Sequence, residues 1–162
     1  MSYPEPRYHG ESGEVSAVLR RRDREPELSN PSGTTVDYLA TGAGTGGEFG
    51  LYRWSFGPEE SGPGPHFHRT ISESFFILDG TVRLFNGDKW VEAEAGDFLY
   101  VPQGGLHAFR NDSDAPAEML LLFAPGAPRE EYFKTLFETA KGRELSEEER
   151  ADLFIRHDNH WV

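Results

Sequence analysis

Between residues 34 and 125 short apolar or alternating runs recur between turn residues: TTVDYLA, FGLYRWSF, SFFIL, TVRLF, KWVEAEA, DFLYVP, LHAFRN and AEMLLLFAP. Extended chain points successive side chains to opposite faces, so runs of this length and spacing predict short antiparallel strands folded as a sandwich or barrel. In FGLYRWSF the alternation puts Tyr52, Trp54 and Phe56 on one face and Leu51, Arg53 and Ser55 on the other, and leaves open which face looks inward. The period changes after Pro128. Tyr132, Phe133, Leu136 and Phe137 fall at i, i+1, i+4 and i+5, one stripe of a helix that Gly142 ends. Ser146 with Glu149 three residues later makes a capping box for a second helix, whose apolar side carries Leu153 and Phe154. These six side chains are expected to pack on the barrel, near its open end or at a partner subunit. Residues 1–35 are polar and broken by Pro4, Pro6, Pro26 and Pro31, the texture of an arm. The expected organisation is an N-terminal arm over 1–35, a β-barrel over 36–125 and a helical extension over 126–162.

Composition narrows the chemistry. A chain of 162 residues suits one domain with its own core. It contains no cysteine, which excludes disulfides, thiolate metal sites and cysteine nucleophiles, so any metal must be held by nitrogen and oxygen. The formal net charge is −12, a field that repels nucleic-acid phosphates, and no nucleic-acid partner is expected. The basic residues Arg20, Arg21, Arg22 and Arg24 alternate with Asp23 and Glu25 and read as a solvated arm. The longest wholly apolar run, Met119 to Phe123, falls far short of the ~20 residues that span a bilayer. The first residues lack the basic start and apolar middle of a secretory signal, so a cytoplasmic protein without a membrane partner is expected. Gly42 to Gly47 match GxGxxG formally, but they precede a strand pattern and open no helix, so they read as a connection.

Candidate chemistry sits in PGPHFHRTISESFFILDG, residues 63–80. His66 and His68 are two apart, so in extended chain both imidazoles reach the same side while Phe67 faces the other. Glu73 follows five residues later, enough for the chain to bend its carboxylate to the same point. A second stretch, GDFLYVPQGGLHAFRN, carries His107 behind Gly96, Pro102, Gly104 and Gly105. An HxH pair alone is a weak signal, and a single strand histidine is more often an ordinary one. Together, three histidines and one glutamate make a complete set of protein ligands with positions left open. His9, His157 and His160 lie in polar sequence and are expected at the surface.

These residues carry a resemblance. His66, His68, Glu73 and Gly80 stand at the spacing of the first motif of the cupin family, and Gly96, Pro102, Gly104, His107 and Asn111 fit its second motif. The likeness covers roughly residues 36 to 125, and the texture around the motifs is similar to small single-domain bacterial cupins of the quercetin dioxygenase-like kind, a group that also includes polyketide cyclases. The resemblance implies an all-β fold, a double-stranded β-barrel with an N-terminal arm and two C-terminal helices. It also implies one divalent metal ion, Fe, Ni, Mn, Cu or Zn, held by His66, His68, Glu73 and His107 inside the barrel mouth.

Such a ligand set leaves a divalent ion with a residual charge of about +1, suited to a monoanionic enolate or a chelating hydroxyketone. The expected activity is a dioxygenase acting on a small aromatic or enolic, flavonol-like substrate. The alternatives are a non-redox cyclase or isomerase using the metal as Lewis acid, and a binding protein without turnover. Glu73 is a candidate for two roles, metal ligand and catalytic general base. If Glu73 points inward, alternation turns Phe75 and Ile77 inward with it, and His107 brings Phe109, which lines the pocket with aromatic rings. The expected partners are a small-molecule substrate and a second copy of the chain in a homodimer.

Overall fold

The computed structural model describes all 162 residues, with eleven strands and two helices. Six strands form one antiparallel sheet in the spatial order β1 (Leu28–Ser29), β2 (Thr35–Ala40), β3 (Gly50–Phe56), β10 (Ala117–Ala124), β5 (Ser72–Asp79) and β8 (Phe98–Val101). A second group orders β7 (Trp90–Glu94), β6 (Thr81–Phe85) and β9 (Ala108–Arg110). Two bridges, His66 with His107 and Ser61 with Asn111, extend that group toward β4 (His66–Phe67), which in turn pairs with β11 (His160–Trp161). All pairings are antiparallel, and the result is a double-stranded β-barrel. Each of the eight runs read from the sequence overlaps one of the longer strands. The chain crosses between the two sheets at Gly80, where φ is +69° and a Cβ would lie 2.7 Å from the Pro116 carbonyl oxygen. Only glycine fits that turn without strain.

Alternation settles the open question about β3. Tyr52, Trp54 and Phe56 are buried while Leu51, Arg53 and Ser55 are not, so the aromatic face looks inward. β10 repeats the pattern with Ala117, Met119, Leu121 and Phe123, and β5 contributes Phe75 and Ile77. On the outer face, Asp37 accepts ion-paired contacts from Arg53 at 2.9 Å and Arg20 at 3.2 Å. Arg20, expected in solvent, instead lays its side chain along the sheet because Asp37 and Glu27 offer it two carboxylates.

Helix α1 (Arg129–Ala140) and helix α2 (Glu147–Arg156) follow the strands. The capping box of α2 is formed: Ser146 Oγ accepts from Glu149 N–H at 3.1 Å, and the Glu149 carboxylate accepts from Ser146 N–H at 2.8 Å. Phe133 packs edge-on against Tyr52 and Trp54, with ring centroids 5.2 and 5.4 Å apart, and Phe137 packs on Trp54 at 5.7 Å. The helical stripe therefore covers the inner face of β3 and closes one end of the barrel. No helix is long and apolar enough to cross a membrane.

The tail corrects the reading of two histidines. His157 caps α2 and is buried, its ring 5.5 Å from that of Tyr132. His160 pairs with Phe67 in the β11–β4 ladder and stacks on its ring at 5.1 Å. His157 left the surface, and His160 is half-buried, because the chain after α2 doubles back across the barrel mouth, a contact between segments about ninety positions apart. His9 is exposed, as expected.

Candidate metal centre

His66, His68, Glu73 and His107 converge. Each contributes one side-chain donor atom, and the four atoms lie within 4.8 Å of one another, in residues that are all buried. Three strands or their approaches supply them. The backbones of His66 and His107 face each other in a bridge, hydrogen-bonded at 3.0 and 2.9 Å in the two directions. His68 follows two residues on, its carbonyl held by Gly104 N–H at 2.7 Å. Glu73 enters from β5, on the same face as Phe75 and Ile77.

The second ring nitrogens decide what the cluster is for. His66 Nδ1 lies 2.9 Å from the Gly64 carbonyl, His107 Nδ1 lies 2.9 Å from the Gly105 carbonyl, and His68 Nδ1 lies 2.7 Å from the Asp158 carbonyl. A carbonyl only accepts, so each Nδ1 must carry the proton, and in a neutral ring Nε2 is left with a bare lone pair. Two of those nitrogens, on His68 and His107, face the same carboxylate oxygen of Glu73 at 3.0 and 2.8 Å. Lone pair against lone pair is repulsive, so a proton or a cation must sit between them. Three oriented imidazoles and one carboxylate, without sulfur, are the donor set that zinc and the first-row divalent metals accept. The residues therefore fit a divalent ion.

Electrostatics agrees with that arrangement. Burial pushes His66 down to about 4, against the pull of the Glu73 charge, so its ring is neutral at ordinary pH. Burial alone would raise the Glu73 carboxyl, but charge and hydrogen bonds from His107 and His68 hold it well below the usual carboxylate range. Burial likewise works to lower His107, and the same carboxylate overcomes it and raises the ring's affinity for a proton.

A cavity of about 310 Å³ reaches the cluster on the side of His66 and Glu73. Trp54 and Phe109 from the strands and Phe133 and Phe137 from α1 form much of its wall, so the helices are part of the site. The Trp161 ring lies 5.0 Å from the His66 ring and also faces the cavity. Phe109 lines it as the alternation from His107 anticipated, whereas Phe75 is packed in the core 5.9 Å from the His107 ring. Sequence reasoning missed Asp158, Asn159 and Arg129. Asp158 fixes His68; Arg129 and Asn159 line the cavity.

A family model described as "Cupin domain" matches residues 52–123, which span β3 to β10 and include all four converging residues. These residues form a cupin domain. Among curated proteins this cupin is 30% identical over 118 residues to quercetin 2,3-dioxygenase of Bacillus subtilis (strain 168), covering 73% of this chain and 34% of that one. It is also 30% identical over 61 residues to an uncharacterized protein of Aquifex aeolicus (strain VF5), covering 38% and 50%. The cupin thus spans about a third and a half of the curated relatives it matches. Among solved structures it superimposes on a predicted oxalate decarboxylase from Thermotoga maritima with a TM-score of 0.59 and 22% identity, over 67% of this chain and 99% of that one. The polyketide cyclase RemF from Streptomyces resistomycificus gives 0.53 and 20%, over 76% and 96%. At these identities the solved structures establish the shared fold.

Proposed function

We propose that this cupin is a metal-dependent dioxygenase for a small aromatic or enolic molecule, with His66, His68, Glu73 and His107 as the ligands of one divalent ion. The observation that carries the reading is the orientation of the three imidazoles: every Nδ1 is tied to a backbone carbonyl, which leaves every Nε2 for the ion. The partial similarity to quercetin 2,3-dioxygenase favours oxygen chemistry over other uses of such a centre. When bound, a redox-capable ion supplies Lewis acidity toward a chelated hydroxyl and a route for electrons to dioxygen.

The protein's own groups then have separable tasks. The imidazoles hold the ion, and Glu73, kept ionised, is the fourth ligand and lowers its charge. The same depressed affinity for protons makes Glu73 a poor general base at neutral pH, so the ligand role is the stronger of its two. Trp54, Phe109 and Phe133 flank a flat ring and keep water from it. Tyr132 is pushed up to about 12, chiefly by burial, and stays a neutral phenol. Its oxygen accepts from Asn159 Nδ2 at 2.7 Å, which leaves its own O–H free for an oxygen atom of the ligand.

Exchanging the metal tests this reading. Protein loaded with iron, nickel, manganese or copper is expected to consume dioxygen with a chelating phenolic enol, and the zinc form is expected to bind the same compound without oxygen uptake. Zinc matches the charge and Lewis acidity of the others but has no redox chemistry. Equal turnover by the zinc form under argon would contradict the proposal and indicate a cyclase or isomerase. Spectral shifts with every metal and turnover with none would indicate a binding protein.

A further inference from the structure

Arg129 opens α1 and is only 3% exposed. Its two hydrogen bonds both leave from Nη1, to the His157 carbonyl at 2.6 Å and to Asn159 Oδ1 at 3.0 Å, and both acceptors are neutral. Nε is buried with no partner. The guanidinium carbon sits 4.5 Å from the ring centroid of Tyr132, 5.0 Å from that of Phe123 and 5.5 Å from that of Phe133. It lines the same cavity as His66 and Glu73.

This is an unfavourable place for a cation. Taking a charge out of water is costly unless a counter-ion compensates. The aromatic faces recover only part of that. The positive end of the α1 dipole adds repulsion of its own. Burial accordingly lowers the guanidinium's hold on its proton, with the charge of Glu73 acting in the opposite sense. Tying the tail to α1 would need a hydrogen-bond donor but not a permanent charge.

Charge counting gives the charge a use. With a divalent ion in place, Glu73 cancels one of its two charges, and Arg129 adds one back, so the cavity would hold two uncompensated positive charges. A ligand that only chelates as a monoanion would leave one of them buried. Resting on the metal-centre reading above, we propose that the ligand is a compact aromatic or enolic carboxylic acid, whose ionised hydroxyl goes to the metal centre and whose carboxylate goes to Arg129. The planar fork of arginine matches a carboxylate, and a cavity at the small end of ligand sites suits a single compact ring system.

The test compares an acid with its neutral isostere on the full chain. Binding of 3,4-dihydroxybenzoate and 3,4-dihydroxybenzamide to zinc-loaded protein is read by titration calorimetry and by quenching of Trp54 and Trp161, which both line the cavity. The acid is expected to bind at least about tenfold tighter, the size of a charge-assisted hydrogen bond. Arg129→Gln should erase the preference, and Arg129→Lys, which keeps the charge, should retain part of it. The readout is the acid-to-amide ratio within each protein, which a general loss of packing would not move. Equal binding of acid and amide to the wild type, or a preference that survives in Arg129→Gln, would overturn the proposal. The same comparison with benzoate and benzamide on metal-free protein separates the two readings. A preference for benzoate that Arg129→Gln abolishes supports the arginine site even if zinc is never taken up, and no preference there counts against it even if zinc loads fully.

Discussion

Asp158 ties His68, the turn at residues 69–70 and the C-terminal tail together. Its backbone is in the left-handed region, φ +56°, which aspartate tolerates better than most side chains. From there its carbonyl accepts His68 Nδ1–H, and its carboxylate accepts the N–H groups of Arg69 and Thr70, the Thr70 hydroxyl at 2.7 Å and a contact from His160 Nε2 at 3.0 Å. Replacing it by alanine removes the carboxylate that fixes the tail on the 69–70 turn and loosens the acceptor of His68. We expect Asp158→Ala to destabilise the fold by about 1.5–3 kcal/mol, the range for hydrogen bonds to a charged group. We also expect a fall of about 10–100-fold in metal affinity, as for partners that orient a metal-bound histidine. Thermal denaturation and competition with a chelator measure the two. Unchanged metal affinity would show that the tail does not set the ring of His68. None of this was legible in RHDNHWV, where polar neighbours make the histidines look solvated and nothing local points to a carbonyl acceptor for a histidine about ninety residues earlier. The four converging residues themselves were legible because their spacing and alternation are local facts. Arg129 was hidden for the opposite reason: followed by Glu130 and Glu131, it reads as one of several charges on a solvated first turn, and only the tertiary contact with the tail buries it.

At the scale of elements, periodicity carried most of the fold. The longer strands overlap the runs marked in the sequence, and the six apolar residues of the helices all join the core or pack against it. The two-residue strands β4 and β11 are too short to show a period, yet they bring His66 against Trp161 and fasten the tail across the mouth. Helix α1 is the element most open to test, because its contact with β3 is both core and cavity wall. Phe133 touches Tyr52, Trp54 and Phe123, with ring centroids 5.2, 5.4 and 6.1 Å apart. Phe133→Ala is expected to cost about 3–5 kcal/mol, as for other buried phenylalanines, and to lower the affinity for a flat ligand while the metal content stays near that of the wild type. Denaturant titration and metal analysis of the same preparation check both halves. A loss of metal equal to the loss of ligand affinity would mean that α1 supports the cluster as well as the cavity.

For the whole molecule, the same residues connect fold to function. Two antiparallel sheets point aromatic side chains inward, the helices and tail close one end over them, and the space that remains meets three imidazoles and a carboxylate oriented for a cation. The net charge of −12 is spread over the rest of the chain, while the cavity itself carries Arg129. His66, His68, Glu73 and His107 are the proposed ligands, and elemental analysis of purified protein tests them most directly. The wild type is expected to carry about one divalent ion per chain, and His66→Ala, His68→Ala and His107→Ala are each expected to lose most of it, since three remaining ligands hold an ion far less firmly than four. Stoichiometric metal in all three variants would place the ion elsewhere and contradict the account.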